Sequence, residues 1–161
     1  MKQWNKLTCA ALLLLSAVAG NAMAETVSQG NLTIKDPWTR PTPPGVTMGV
    51  GYMSIHNAGS ADVTLIGAAS AKSDDVTIHK SVMDDGVVSM QFVEGGLTIP
   101  AGKTVMLKPH GYHLMLEGLD RGISRNETVP VTLTFENADA ISVELHAKPM
   151  DESASEHTVD H

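Results

Sequence analysis

The chain has 161 residues, a net charge of −7 and one cysteine. Nucleic-acid binding needs a basic face, so 18 acidic residues against 11 basic ones argue against a DNA- or RNA-binding protein. The length suits one domain with a real core, and the single cysteine excludes a disulfide framework.

The first 24 residues have the layout of a secretory signal peptide. Lys2 and Lys6 precede an apolar run centred on residues 10–18, and the triplet Ala22-Met23-Ala24 predicts cleavage after Ala24. The run is shorter than the roughly 20 residues that span a bilayer. Cys9 lies before the run, the wrong place for a lipid anchor, so we expect a cysteine-free mature chain without a membrane anchor.

Period-two alternation and regular turn signals predict an all-β domain over residues 25–147. The predicted strands cover residues 31–35, 50–57, 63–68, 76–83, 87–93, 97–100, 105–108, 113–116, 129–136 and 141–146. The strands at 50–57 and 63–68 are expected to form an opening β-meander, and the proline-rich segment 36–45 a loop or sheet edge. No window shows a helical stripe, which favours a β-sandwich or barrel.

The alternation stops at Lys148. Residues 148–161 are polar and acidic, and they carry Met150, His157 and His161. This composition predicts a mobile tail after a single domain.

Residues 75–116 hold the candidate functional side chains: His79, Met90, His113 and Met115, all on predicted strands. Imidazole nitrogen together with thioether sulfur suits a soft ion, above all Cu(I), and disfavours magnesium or calcium. These residues are therefore candidate copper ligands. The alternative is that Met83, Met90 and Met106 fill gaps in a core and that His79 is a surface residue at a strand end.

The turn between the two central strands decides whether His79 and Met90 can meet. A two-residue turn at Asp85-Gly86 puts Ser81 opposite Met90 and His79 diagonal to Met90 on the same face. A four-residue loop would place His79 directly opposite Met90, and a three-residue loop would put them on opposite faces.

The motif His113-Leu114-Met115-Leu116 sends its two leucines to one face and its histidine and methionine to the other. Because the leucines claim the core, His113 and Met115 are expected side by side on the outer face. The preceding loop, residues 108–112, is expected to frame the site.

These residues resemble the PCu(A)C family of periplasmic copper chaperones. That family has a histidine, a methionine about ten residues later and a His-x-Met about twenty residues after that. Ten residues separate His79 from Met90 here, and 22 separate Met90 from His113. Further matches are Trp38-Thr39-Arg40, the Thr-Pro-Pro-Gly loop at 42–45, Gly51-Tyr52-Met53, Ile99-Pro100-Ala101-Gly102 and residues 111–116, within a match that spans roughly 34–145.

The resemblance implies a cupredoxin-like β-sandwich or barrel that binds one Cu(I) through His79, Met90, His113 and Met115. It implies a monomeric periplasmic carrier that gives copper to a receiving protein, an oxidase subunit or assembly factor, in cytochrome c oxidase assembly. Two departures are Lys80, where the family often has methionine, and His110, where it often has glycine; His110 offers an extra imidazole. Met150, His157 and His161 resemble the tails of some members, which are thought to hold a second copper as Cu(II).

Other functions remain alternatives at this point. A blue copper protein needs a cysteine thiolate, which the mature chain lacks. An enzyme is not expected, because the chain contains neither G-x-S-x-G nor H-E-x-x-H. A periplasmic copper store or resistance protein and a metal-free interaction module both stay open.

Overall fold

Eleven β-strands and no helix make up residues 25–149, the part of the chain that the computed structural model describes. The strands are β1 (Thr26–Gln29), β2 (Leu32–Thr39), β3 (Gly49–Asn57), β4 (Val63–Ala69), β5 (Asp75–Asp84), β6 (Val87–Phe92), β7 (Leu97–Ile99), β8 (Thr104–Leu107), β9 (Tyr112–Glu117), β10 (Thr128–Glu136) and β11 (Ile141–Ala147). The predicted all-β class is confirmed. Within these residues there is no helix with the length and apolarity to cross a membrane. The predicted signal peptide and Met150, His157 and His161 lie outside the described residues.

The strands form one sheet in the order β6-β5-β9-β8-β3-β2-β11-β10-β4-β7, with β1 paired to β2. β9 also pairs with β3, and β4 also pairs with β5 through Ala68 and Val76. Because β4 and β5 lie near opposite ends of the order, their contact closes the sheet on itself. The predicted sandwich or barrel is therefore a closed sheet with β6 outside the closure, at an edge.

The core follows from alternation along the strands, most clearly on β10 and β11. Val131 pairs with Val143 and Leu133 pairs with Ile141, and all four side chains are buried. The residues between them are exposed. Since burying one such side chain contributes about 1.5–3 kcal/mol, the period-two pattern is enough to fix which face points inward.

The expectation that residues 36–45 form a loop or sheet edge is confirmed for residues 40–45 and is wrong for residues 36–39. β2 runs through them to Thr39 and lies between β3 and β11. The pairing with β3 shifts register between Lys35 and Trp38, and Asp36 has a φ of 47°. This irregularity leaves Pro37 outside the ladder, so a residue without an N–H is accommodated inside a central strand.

The expected meander of β3 and β4 is also wrong. β3 pairs with β2, β8 and β9, whereas β4 pairs with β10, β7 and β5. Asn57, fully buried at the end of β3, donates from its side chain to the carbonyls of Ala61 (2.8 Å) and Ile99 (3.0 Å). These bonds hold the chain where it leaves one side of the barrel for the other.

Candidate metal site

The hairpin of β5 and β6 turns on two residues, one of the three turn lengths considered from the sequence. Asp85 and Gly86 have φ values of 46° and 80°, as a type I′ turn requires. The resulting register puts Ser81 opposite Met90. Met90 is therefore diagonal to His79 on the same face of the sheet.

His79 and His113 face each other directly across β5 and β9. Their ring centroids are 6.0 Å apart and their planes are inclined by 51°. On the other side of His79, the Phe92 ring lies edge-on at 6.0 Å and 81°. Two imidazoles from neighbouring strands thus converge on one place.

The His113 side chain is only 2% exposed, and one hydrogen bond determines which of its two ring nitrogens carries the proton. Its Nδ1 donates to the carbonyl of Gly111 at 3.1 Å, and a carbonyl can only accept, so the proton of the neutral ring is on Nδ1. Nε2 then carries a lone pair, and it is buried without a hydrogen-bond partner among residues 25–149. A histidine that binds a metal through Nε2 needs this tautomer.

Burial also favours the neutral form of His113. Loss of hydration lowers the pKa of its imidazole below 6.5; the Gly111 hydrogen bond partly opposes this effect, and the nearby His79 adds to it. The ring is therefore unprotonated at neutral pH. His79 has a matching feature, because its Nδ1 is buried and lacks a hydrogen-bond partner within the described chain.

Met115 lies beside the two histidines, and it corrects the expectation of an outer face. It faces Thr77 on β5 and Val50 on β3, on the side of the sheet opposite to the buried Leu114. That side is covered as well, since Met115 is 7% exposed. The alternation along β9 shows which residues share a face, but it does not show whether that face is buried.

Met90 is on the same face but not in the same enclosed place. It lies on the edge strand β6 and is 54% exposed. Met90 and Met115 face β5 at Ser81 and Thr77, which in a flat sheet separates their Cα atoms by roughly 13 Å along the strands and roughly 10 Å across them. For both sulfurs to reach one ion, the hairpin must curl over the histidines.

His110 lies in the turn before β9, exposed and with a φ of 63°. The positive φ explains why glycine suits this position. The more important residue of the turn is Gly111, whose carbonyl accepts from Ser81 N–H (3.0 Å) as well as from His113. The sequence predicts that this loop frames the site, but no sequence signal shows that Gly111 orients His113.

The structure therefore brings His79, His113 and Met115 together, places Met90 diagonal to His79 at the exposed edge and leaves His110 exposed on the adjoining turn. Among residues 25–149, no group of three or more His, Cys, Asp or Glu side chains could hold a metal ion. Two unpartnered imidazole nitrogens beside a thioether form a donor set for a soft ion and a poor one for a hard ion.

The family model described as "LpqE-like: Putative lipoprotein LpqE-like" matches residues 32–147, which include all four candidate ligands. The chain belongs to this family. A relative from Leifsonia xyli subsp. xyli (strain CTCB07), named "Putative lipoprotein Lxx21020", is 30% identical over 146 residues. The alignment covers 88% of this chain and 87% of the relative.

Solved structures similar to this LpqE-like chain are PCuAC domains and related proteins. The copper-bound PCuAC domain from PmoF2 has a TM-score of 0.65 at 22% identity, over 77% of this chain and 97% of that domain. The solution structure of apo-DR1885 from Deinococcus radiodurans has a TM-score of 0.57 at 26% identity, over 91% and 99%. Its CuI form has a TM-score of 0.57 at 28% identity, over 81% and 83%. The cupredoxin-like fold and the resemblance to the PCu(A)C family are confirmed.

Proposed function

We propose that this protein is an exported Cu(I) chaperone that binds one ion through His79, Met90, His113 and Met115. The observation that carries the proposal is the pair of buried imidazole nitrogens on His79 and His113, which lack hydrogen-bond partners in the described chain and lie beside Met115. A buried polar nitrogen without a partner costs stability, which a bound ion would recover. The copper-bound forms of the PmoF2 domain and of DR1885 support copper as that ion.

The ligands suit an ion that has to be released again. All four are neutral, so none holds Cu(I) by its own charge, and an incoming ligand can replace them one at a time. His113 and Met115 lie inside and Met90 lies half exposed at the edge, which gives the site a retained side and an accessible side.

Export and delivery complete the proposal. Residues 1–24 have the layout of a cleaved leader, and the family and its relative carry lipoprotein names, which fits an exported protein. Cys9 precedes the apolar run, so we propose a free periplasmic form rather than a lipid-anchored one. The receiving protein is an oxidase subunit or assembly factor, and the tail residues Met150, His157 and His161 are expected to hold Cu(II).

X-ray absorption of the mature protein, loaded anaerobically with one equivalent of Cu(I), tests the site directly. The expected shell is a mixture of about two sulfur and two nitrogen scatterers. Met115→Leu keeps the side-chain volume and should remove one sulfur and lower the Cu(I) affinity by about tenfold or more, measured by chelator competition. The matched control is Met106→Leu, because Met106, on β8 opposite Ser54, is not one of the four proposed ligands.

A nitrogen-only shell in the wild type, or equal affinity in Met115→Leu, would contradict the four-ligand assignment. A transfer assay with an oxidase copper domain then separates a chaperone from a store. A chaperone gives up its copper to that domain, whereas a store that binds Cu(I) with the expected shell keeps it.

A further inference from the structure

The hairpin of β5 and β6 continues beyond the proposed copper site into solvent. The last residue pair between β5 and β9 joins Lys80 to Tyr112, and β6 is the edge strand that pairs only with β5. All six residues of β6 are exposed. This part of the hairpin therefore has no covering layer among residues 25–149.

One face of the hairpin carries soft donors and the other carries none. Met83 faces Val88, and Ser81 faces Met90, so these four residues share the face of His79. The opposite face is formed by Lys80, Val82, Asp84, Val87, Ser89 and Gln91. Met83 is 72% exposed, the highest value among the exposed large apolar side chains between residues 25 and 149.

The register places the donor side chains at successive diagonal positions along the hairpin. Met90 is diagonal to His79 in one direction and diagonal to Met83 in the other, because it faces Ser81 midway between them. Diagonal neighbours of an antiparallel pair lie about 7–8 Å apart, within reach of long side chains. The sequence of donors from the hairpin tip inward is thus Met83, Met90 and His79.

We propose that Met83 is an additional Cu(I)-binding residue through which the ion enters and leaves the site. This inference rests on the proposed copper function. Cu(I) is held first by Met83 and Met90 at the exposed end, then exchanges the Met83 thioether for the His79 imidazole, and release reverses these steps. Each step replaces one neutral ligand by another, so the ion keeps its charge and oxidation state and no electron or proton is transferred.

Such a residue changes rates and not the final affinity. Met83 is absent from the fully loaded shell, so its removal leaves the equilibrium between free and bound ion unchanged. It contributes only while the ion is passing between solvent and the histidines. Loading and release should therefore slow by the same factor.

The test compares wild type with Met83→Leu, which keeps the apolar bulk and removes the sulfur. Stopped-flow mixing of the Cu(I)-loaded mature protein with excess bathocuproine disulfonate measures release, and mixing of apo-protein with Cu(I) measures loading. Both rates should fall by about tenfold, while the affinity from equilibrium competition stays unchanged. Met48→Leu is the matched control, because Met48 is 52% exposed but directly precedes β3, away from the hairpin.

Direct contact is tested by following the methionine methyl signals of the mature protein by NMR during titration with Ag(I), a diamagnetic analogue of Cu(I). The methyl group of Met83 should shift or broaden at partial loading, and that of Met48 should not.

The outcomes separate the two proposals. Unchanged rates in Met83→Leu, with wild type binding Cu(I) normally, overturn the role of Met83 and leave the copper site intact. Slower transfer to a protein acceptor combined with unchanged rates toward the chelator also overturns it, because Met83 would then act as an apolar contact. Failure of the wild type to bind Cu(I) would instead overturn the proposed function.

Discussion

Gly111 determines which nitrogen of His113 is available to a metal. Its carbonyl accepts hydrogen bonds from Ser81 N–H at 3.0 Å and from His113 Nδ1 at 3.1 Å, so it ties the turn to β5 and fixes the ring at once. Metal-binding histidines commonly donate their second N–H to a carbonyl in this way. The orientation of His113 is thus built into the turn before β9.

The buried imidazole of His113 should make the metal-free protein sensitive to mild acid. Burial lowers its pKa below the unfolded value of 6.5, so the unfolded chain takes up the proton first as the pH falls. Stability is therefore unaffected above about pH 6.5 and declines as the pH falls from there to the lowered folded pKa, where the loss levels off. Urea unfolding of the apo-protein from about pH 8 to about pH 5 measures this decline.

His113→Gln should flatten that pH dependence, because glutamine does not titrate. His110→Asn is the control: His110 is exposed at a positive φ, which asparagine tolerates, so the wild-type decline should persist. If His113→Gln retained the full decline, the acid sensitivity would belong to another group.

At the scale of an element, the register of the β5–β6 hairpin determines which of its side chains face the candidate site. Neighbouring residues of β6 point to opposite faces, so only alternate positions can contribute to the site. Ser89 and Met90 are both exposed and adjacent, which means that exchanging them moves a thioether across the sheet without disturbing a core.

The double variant Ser89→Met with Met90→Ser should therefore lose Met90's sulfur from the Cu(I) shell while the composition stays the same. X-ray absorption of the loaded protein should show one sulfur scatterer instead of two, with the melting temperature of the apo-protein unchanged. A shell that keeps both sulfurs would mean that Met90 is not a ligand, or that the hairpin does not keep its register.

Local features of the fold were predictable and non-local ones were not. The Asp85-Gly86 turn follows from two adjacent residues that accept positive φ, so the sequence favours this turn. The position of Met90 stayed open among three turn lengths until the structure showed the register. The course of β2 through Pro37 and the separation of β3 from β4 depend on which strands come to lie beside them. The burial of His113 depends in part on such a neighbour, since its ring lies beside His79 on β5, which is distant along the chain.

At the scale of the molecule, the sheet gives the site two unequal halves. β9 lies between β5 on one side and β3 and β8 on the other, so its His113 and Met115 are held in the closed part of the barrel. β6 has a partner on one side only and carries Met90 into solvent. Since edge strands open more easily than strands inside a sheet, we expect movement of the hairpin to complete or open the proposed copper shell.

The barrel is also tied together away from the site by Glu127, which lies just before β10. Its carboxylate accepts hydrogen bonds from the Lys72 ammonium, from Arg121 at 2.8 and 3.2 Å and from Ser124 N–H at 2.9 Å. Lys72 belongs to the β4–β5 connection and also donates to the Thr128 carbonyl at 3.1 Å. One carboxylate therefore joins two loops that are far apart along the chain.

The hydrogen bonds of Glu127 also predict a loss of stability in acid, at a lower pH than the loss predicted for His113. The hydrogen bond from Lys72, followed by those from Ser124 and Arg121, lowers the pKa of Glu127 from 4.5 to about 2, although burial opposes them. The ionised carboxylate thus stabilises the fold above about pH 4.5, and this contribution is lost as the pH falls towards about 2.

Glu127→Gln should lower the free energy of unfolding by about 2 kcal/mol at neutral pH, because the neutral amide leaves Lys72 and Arg121 without a carboxylate. The difference from wild type should shrink between about pH 4.5 and about pH 2, as the wild-type carboxyl itself becomes neutral. Glu136→Gln, on the exposed side of β10, should change the stability little at either pH. If urea unfolding gave the same stability for Glu127→Gln and wild type at pH 7, the bonds of Glu127 would be surface contacts without energetic weight, and the two loops would be held by their backbone pairing alone.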